Sequence, residues 1–167
     1  MSPLVVLEAP HAGGETFNQL IALLAVEQKV YIYDCGVIYI SLIISNYLHT
    51  RSLDVQKAMG NLYRFYTFEA RHLVAHLELP RDARTAVVIL DGLHPFQKTS
   101  NETLLDDGLR ALAQLRATRP VYVSIRPGDP PAMRSRLIGL ADTFIEQTTG
   151  MPIPPQQLLK AHHDRTP

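Results

Sequence analysis

The sequence has no net charge and almost no cysteine. Its 16 Lys and Arg residues balance 16 Asp and Glu residues, so there is no overall basic field to attract nucleic acid. Any such contact must be local or shared with a partner. Cys35 is the one cysteine of the chain, which excludes an internal disulfide framework and is typical of a reducing compartment.

Long hydrophobic runs are also missing. The most apolar stretch, Val37 to Ile44, is too short to span a bilayer and contains Tyr39 and Ser41, so we expect no membrane contact. Residues Met1 to Pro3 show no basic region of the signal-peptide kind. With 46% hydrophobic and 19% charged residues, the chain of 167 residues is typical of one globular domain with a sizeable core.

The chain opens with a strand, a glycine-containing loop and a helix. Leu4 to Leu7 is an apolar run, and Thr16 to Gln28 has apolar residues at the spacing of one helical face. This is the setting of a phosphate-binding loop, whose pattern G-x-x-x-x-G-K-[ST] falls on Ala9 to Thr16. Only Gly14 and Thr16 match the pattern, since Ala9 replaces the first Gly and Glu15 replaces the Lys.

Glu15 argues against nucleotide binding. A phosphate-binding loop holds its ligand with backbone N–H groups, a helix N-terminus and one Lys, and a Glu there repels the phosphates by about 4 kcal/mol at roughly 4 Å and an effective dielectric near 20. We therefore expect no cofactor, with ATP and magnesium as the less favoured alternative. In the other interpretation, the loop is only a strand-to-helix turn in which Gly13 and Gly14 serve the backbone geometry.

Further strands and helices alternate along the rest of the chain. This order predicts an α/β fold with a mostly parallel twisted sheet sandwiched by helices. It places one core domain at residues 1–149 and a Pro-rich polar tail, expected to be loose, at residues 150–167. The predicted strands are Val30–Tyr33, Leu62–Tyr66, Ala86–Asp91, Val121–Ile125 and Asp142–Gln147, and the main predicted helices are Val37–Leu48, Phe68–Leu79, Glu102–Ala117 and Met133–Leu140.

Two segments suggest functional surfaces. Asp91 ends the most strand-like run of the chain, where proteins with a phosphate-binding loop place the acid that holds magnesium-bound water. The segment Val37 to Leu48 has more large apolar residues than one helical face needs. It is either a helix buried on two sides or a surface that docks a partner, with these interface candidates: Ile38, Tyr39, Ile43 and Tyr47.

A metal site is not expected. His72 and His76 have the i,i+4 spacing of metal ligands, but no third ligand stands beside them in the sequence. Solvent-facing histidines are the ordinary interpretation of such a pair.

The order of these parts resembles the ATPase core of the RecA family, in particular its small eukaryotic recombinase paralogs of the Shu-complex type. The resemblance covers residues 4–149 and implies a RecA-like core. It is carried by four segments, which are Leu4–Leu24, Asn61–Phe65, Val87–Leu93 and Val121–Gln147.

The family activates its attacking water with a Glu just after the second strand, and Cys35 stands at the equivalent position here, with Asp34 one residue away. With both this Glu and the Lys replaced, the resemblance implies no catalytic residues. It implies instead a non-catalytic nuclear subunit (cytoplasmic in a prokaryote) that assists homologous recombination and DNA repair. Its partners would be another RecA-like or zinc-containing subunit, single-stranded or forked DNA, and a recombinase filament.

The loops that face DNA in the family correspond here to His94–Asn101 and Arg126–Arg136. Their cations are Lys98, Arg126, Arg134 and Arg136, which are predicted phosphate contacts. They are alternatively a solvated helix face and a turn cap. Two other functions stay open, a divergent ATPase or kinase using Thr16 and Asp91, and a scaffold with no nucleic-acid role.

Overall fold

The computed structural model describes residues 3–79, 81–82, 84–98 and 102–163, without the side chains of residues 162 and 163. Six strands alternate with seven helices in these ranges. The strands are β1 (Leu4–Glu8), β2 (Lys29–Asp34), β3 (Leu62–Tyr66), β4 (Thr85–Leu90), β5 (Val121–Ile125) and β6 (Thr143–Glu146). The helices are α1 (Gly14–Glu27), α2 (Ser41–Thr50), α3 (Val55–Met59), α4 (Ala70–Glu78), α5 (Glu102–Arg116), α6 (Pro131–Leu140) and α7 (Pro155–His163), with 3-10 turns at Pro10–Gly13 and His94–Lys98.

The strands form one sheet in the order β3-β2-β4-β5-β1-β6, and the pairings are parallel. β1, β4 and β5 are buried along their whole length. Central parallel strands are covered on both faces, which is why these three read as continuous apolar runs. The prediction of an α/β fold with a parallel sheet is confirmed.

Helices cover both faces of the sheet. One layer holds α1, α2, α3 and α7, and the other holds α4, α5 and α6. Representative buried side chains are Leu20, Ile44, Ala58 and Leu158 in the first layer and Leu73, Leu112 and Leu137 in the second. Within the described residues, no helix is both long and apolar enough to cross a bilayer.

The expectation of a loose C-terminal tail is wrong for the described residues up to 161. Leu158 in α7 is fully buried among the side chains of the first layer, and Ile153 and Leu159 pack against the same cluster. These apolar residues are interspersed with prolines and glutamines. The polar composition of the segment therefore gave no indication that one face of a helix would be buried. Residues 164–167 lie outside the described part of the chain.

The predicted helix at Val37–Leu48 begins only at Ser41. The preceding residues form a non-helical loop, in which Val37 has a φ of 57°, because the Asp34 carboxylate accepts hydrogen bonds from the backbone N–H groups of Ile38 and Tyr39, each at 2.9 Å. The side chain of Asn18 also donates to the Ile38 carbonyl at 3.0 Å and accepts from the Ile40 N–H at 2.8 Å.

Candidate functional site

The turn between β1 and α1 has an unusual backbone. His11, Ala12 and Gly13 have φ values of 54°, 53° and 60°, in the left-handed region that favours glycine. A Cβ atom on Gly13 would also lie 2.9 Å from Leu7 Cδ2, so this position needs glycine for two reasons. Gly14 has right-handed helical backbone angles, which any residue can adopt. The backbone therefore requires glycine at position 13 and not at position 14.

Thr16 is engaged by the C-terminal segment. Its hydroxyl donates a hydrogen bond to the carbonyl oxygen of Ile153 at 2.6 Å, and the residue is only 1% exposed. Glu15 is exposed in the first turn of α1. The hydroxyl that a phosphate-binding loop offers to magnesium is therefore satisfied by the chain itself, beside an exposed carboxylate instead of a lysine.

Asp91 is engaged by Arg126. Oδ2 of Asp91 lies 3.0 Å from both Nε and Nη2 of Arg126, and the Asp91 side chain is 1% exposed. Oδ1 is enclosed without a hydrogen-bond partner among the described residues. The loop after β2 packs against the same carboxylate. A Cβ atom added to Gly36 would lie only 2.3 Å from Asp91 Oδ2, so this close approach requires glycine.

A short network fixes the loop that carries Arg126. Asp129 accepts hydrogen bonds from the Arg126 N–H at 2.8 Å and from Gln97 Nε2 at 2.6 Å. Burial is the main cause that raises the pKa of Asp129, and the charge of Asp91 adds to it. The network borders an open cleft of about 450 Å³ at the C-terminal ends of β2, β4 and β5, the end at which parallel α/β sheets bind their ligands.

The residues after β2 offer no base for activating water. Cys35 is fully buried, and its Sγ lies 3.3 Å from Thr67 Oγ1. Burial raises the pKa of the Cys35 thiol to about 12, so it is neutral at physiological pH. The carboxylate of Asp34 accepts the N–H groups of Gly36, Ile38 and Tyr39, which is a structural role.

The other predicted DNA contacts are not members of this network. Arg134 pairs with Glu8 through Nε and Nη2, with Nη2 to Oε1 at 3.0 Å, and Arg136 pairs with Asp106. Lys98 is exposed at the end of its 3-10 turn, and residues 99–101 of that loop lie outside the described part. All three arginines carry carboxylate partners, a feature that sequence spacing did not show.

The predicted partner surface needs correction. Ile38 and Tyr47 are 9% and 6% exposed and belong to the core, while Tyr39 and Ile43 are half-buried. The exposed apolar side chains of this segment are instead Val37, Ile40 and Leu42. Counting large apolar residues in a predicted helix did not identify the exposed ones, because residues 37–40 lie in a loop before α2 and Tyr47 faces the core.

The described residues include no group of three His, Cys, Asp or Glu side chains that could hold a metal ion. His72 is exposed. The His76 ring instead packs against the rings of Tyr33 and Phe65, with centroid distances of 5.7 and 5.2 Å.

The chain is similar to known proteins in structure but matches none of the compared families and curated proteins by sequence. No protein-family model matches the sequence, and no curated protein matches it. Among solved structures, the fold is similar to the crystal structure of the RadB recombinase, with a TM-score of 0.58 and 18% sequence identity over 96% of this chain and 71% of that chain. The prediction of a RecA-like α/β fold is thereby confirmed.

Proposed function

We propose that this protein is a non-catalytic RecA-like subunit of a heteromeric complex that assists homologous recombination and DNA repair. It would bind DNA, a recombinase filament, or both, together with a partner subunit. The observation that carries the proposal is that both side chains expected to hold magnesium are engaged by the protein itself, Thr16 by Ile153 and Asp91 by Arg126.

The site does not fit magnesium or the nucleotide that would accompany it. The Thr16 hydroxyl and Asp91 Oδ2 already have partners, and the guanidinium of Arg126 supplies the positive charge beside Asp91. Glu15 stands in place of the lysine that binds phosphate, and the neutral Cys35 thiol stands in place of the carboxylate that activates water. These contacts argue against a divergent ATPase or kinase that uses Thr16 and Asp91.

An open edge of the sheet supports the proposal that the subunit binds a partner protein. β3 is one of the two terminal strands of the described sheet, and exposed strand edges are templates for pairing with another chain. It carries the exposed aromatic side chains of Tyr63, Phe65 and Tyr66, and the exposed Val37, Ile40 and Leu42 add apolar surface to the subunit. This surface favours a protein partner, for which another RecA-like or zinc-containing subunit is our proposal, as in complexes of the Shu type.

Shared DNA binding agrees with the charge of the chain. The net charge is zero. Arg126, Arg134 and Arg136 each form an ion pair with a carboxylate, which offsets part of their positive charge. A subunit of this kind needs cations from its partner to hold single-stranded or forked DNA. We place the complex in the nucleus, or in the cytoplasm of a prokaryote.

The arginine pairs also favour a second candidate, a scaffold on the same fold with no nucleic-acid role. Filter binding of labelled single-stranded and forked DNA separates the two, using the isolated chain and the complex that co-purifies from its native cell. The proposal predicts weak binding by the chain and clear binding by the complex. A pure complex that retains no DNA would contradict the proposal and leave the scaffold.

A further inference from the structure

Phe68 stands between two clefts that are lined by cations. Its side chain is 46% exposed and lines both the cleft of about 450 Å³ described above and a second one of about 240 Å³. The first cleft contains Arg126, and the second contains Arg71 and Lys98. The exposed ring therefore has cations on either side.

The ring is held in place by its neighbours. It stacks on Tyr66, with ring centroids 5.7 Å apart and ring planes 12° apart. Thr67, between the two aromatics, is buried, and its N–H donates to the Asp34 carbonyl at 3.1 Å. The Arg64 guanidinium lies 4.6 Å from the Tyr66 ring centroid. Phe68 therefore forms an exposed aromatic pair with Tyr66, with cations nearby.

The charges around this pair suit an anionic partner. The cations Arg71, Lys98 and Arg126 are on the surface, with side chains of Arg71 and Arg126 that are 71% and 41% exposed. Asp91 and Asp129, which line the first cleft, are 1% and 5% exposed. Glu69 is the exposed acid beside Phe68 and is paired with Arg71. Three exposed cations therefore lie beside one exposed acid, and two of these cations, Arg71 and Arg126, are paired with a carboxylate.

We propose that Phe68 is a stacking platform for one base of a single-stranded nucleic acid, with the flanking phosphates reaching Arg126 on one side and Lys98 on the other. Single-strand binding proteins combine an aromatic face for the base with cations that follow the backbone. Every base has such a face, so the site is tolerant of sequence. The proposal rests on the proposed function, because it assigns the nucleic-acid contact of the same subunit.

The test uses the native complex and a fluorescent oligothymidylate, with affinity measured by anisotropy at several salt concentrations. Phe68→Ala should weaken binding about 5- to 100-fold with no change in the slope of log affinity against log salt, because no charge is lost. Phe68→Tyr should retain the affinity. Lys98→Gln should lower the slope by roughly 0.7, as expected for one lost phosphate contact on a single strand. Met151→Ala is the control, a large apolar side chain that is 76% exposed and lines neither cleft, and it should bind like the wild type.

Each other outcome has a defined meaning. Equal binding by Phe68→Ala and Met151→Ala, in a complex that binds DNA, would overturn the stacking role alone. Loss of the partner from Phe68→Ala would assign this face to a protein and also overturn it. A wild-type complex that binds no DNA would contradict the proposed function as well. If Phe68→Ala does not fold, photocrosslinking of a 5-iodouracil oligonucleotide to the wild-type complex decides, since an adduct on Phe68 supports the proposal and adducts elsewhere alone overturn it.

Discussion

The hydroxyl of Thr16 donates a hydrogen bond to the carbonyl oxygen of Ile153 at 2.6 Å, across 137 positions of sequence. This bond fixes the C-terminal segment against the start of α1, at the point where a functional phosphate-binding loop would meet its magnesium ion. The helix that follows, α7, buries Leu158 in the core. The C-terminal segment is therefore part of the fold and closes the degenerate loop.

The first prediction concerns α7. Leu158→Ala should lower the free energy of unfolding by about 2–5 kcal/mol, because it removes a fully buried side chain. Lys160→Ala, on the exposed side of the same helix, should change the free energy by no more than about 0.5 kcal/mol. Urea denaturation followed by circular dichroism measures both. Equal stability of the two variants would mean that α7 does not pack as described.

The second prediction concerns the pair of Asp91 and Arg126. Arg126→Gln should lower the free energy of unfolding by about 1.5–3 kcal/mol, because it leaves the buried Asp91 carboxylate without its cation. Arg136→Gln is the control, since its pair with Asp106 is exposed on both sides and such pairs contribute at most about 1 kcal/mol.

The double variant Asp91→Asn with Arg126→Gln should recover part of the loss, because the uncompensated charge is removed. A double variant whose loss equals the sum of the two single losses would show that the two side chains are not coupled.

The third prediction is a pH dependence from Cys35. Its pKa is raised from 9.0 to about 12 in the folded protein, so the folded state holds the thiol proton more tightly than the unfolded state. The contribution of the neutral Cys35 thiol to the free energy of unfolding is fully present below about pH 9. It is lost as pH rises from 9 towards 12. The free energy of unfolding should therefore fall more steeply above pH 9 in the wild type than in Cys35→Ala.

A matching alkaline slope in Cys35→Ala would assign the effect to other groups. As an independent check, Ellman's reagent at pH 8 should leave the native thiol unmodified and react once the chain is unfolded in urea, because the buried Cys35 is neither accessible nor ionised.

The sheet was predictable because its signals are local. Continuous apolar runs in β1 and β4 reflect burial on both faces, and helical spacing identified α1. The segment at residues 37–40 was misjudged because its backbone N–H groups donate hydrogen bonds to the side chains of Asp34 and Asn18, which compete with the helical tendency of its sequence.

The candidate site was predictable only in part. Thr16 and Asp91 were identified from the pattern of a phosphate-binding loop and its acid, but their actual partners were not. Ile153 and Arg126 lie 137 and 35 positions away, and no periodicity or motif connects residues at such separations. Phe68 was likewise read only as the start of a helix, because its exposure depends on its place at the edge of the sheet.

The central claim is that the protein's own contacts have replaced nucleotide and magnesium at this site. Isothermal titration calorimetry of the isolated protein with ATP, at millimolar magnesium, tests it most directly. We expect no measurable binding by the wild type. We also expect none by Glu15→Lys, because Thr16 and Asp91 remain engaged by Ile153 and Arg126 in that variant. A micromolar dissociation constant for the wild type would contradict the account and favour a divergent ATPase or kinase.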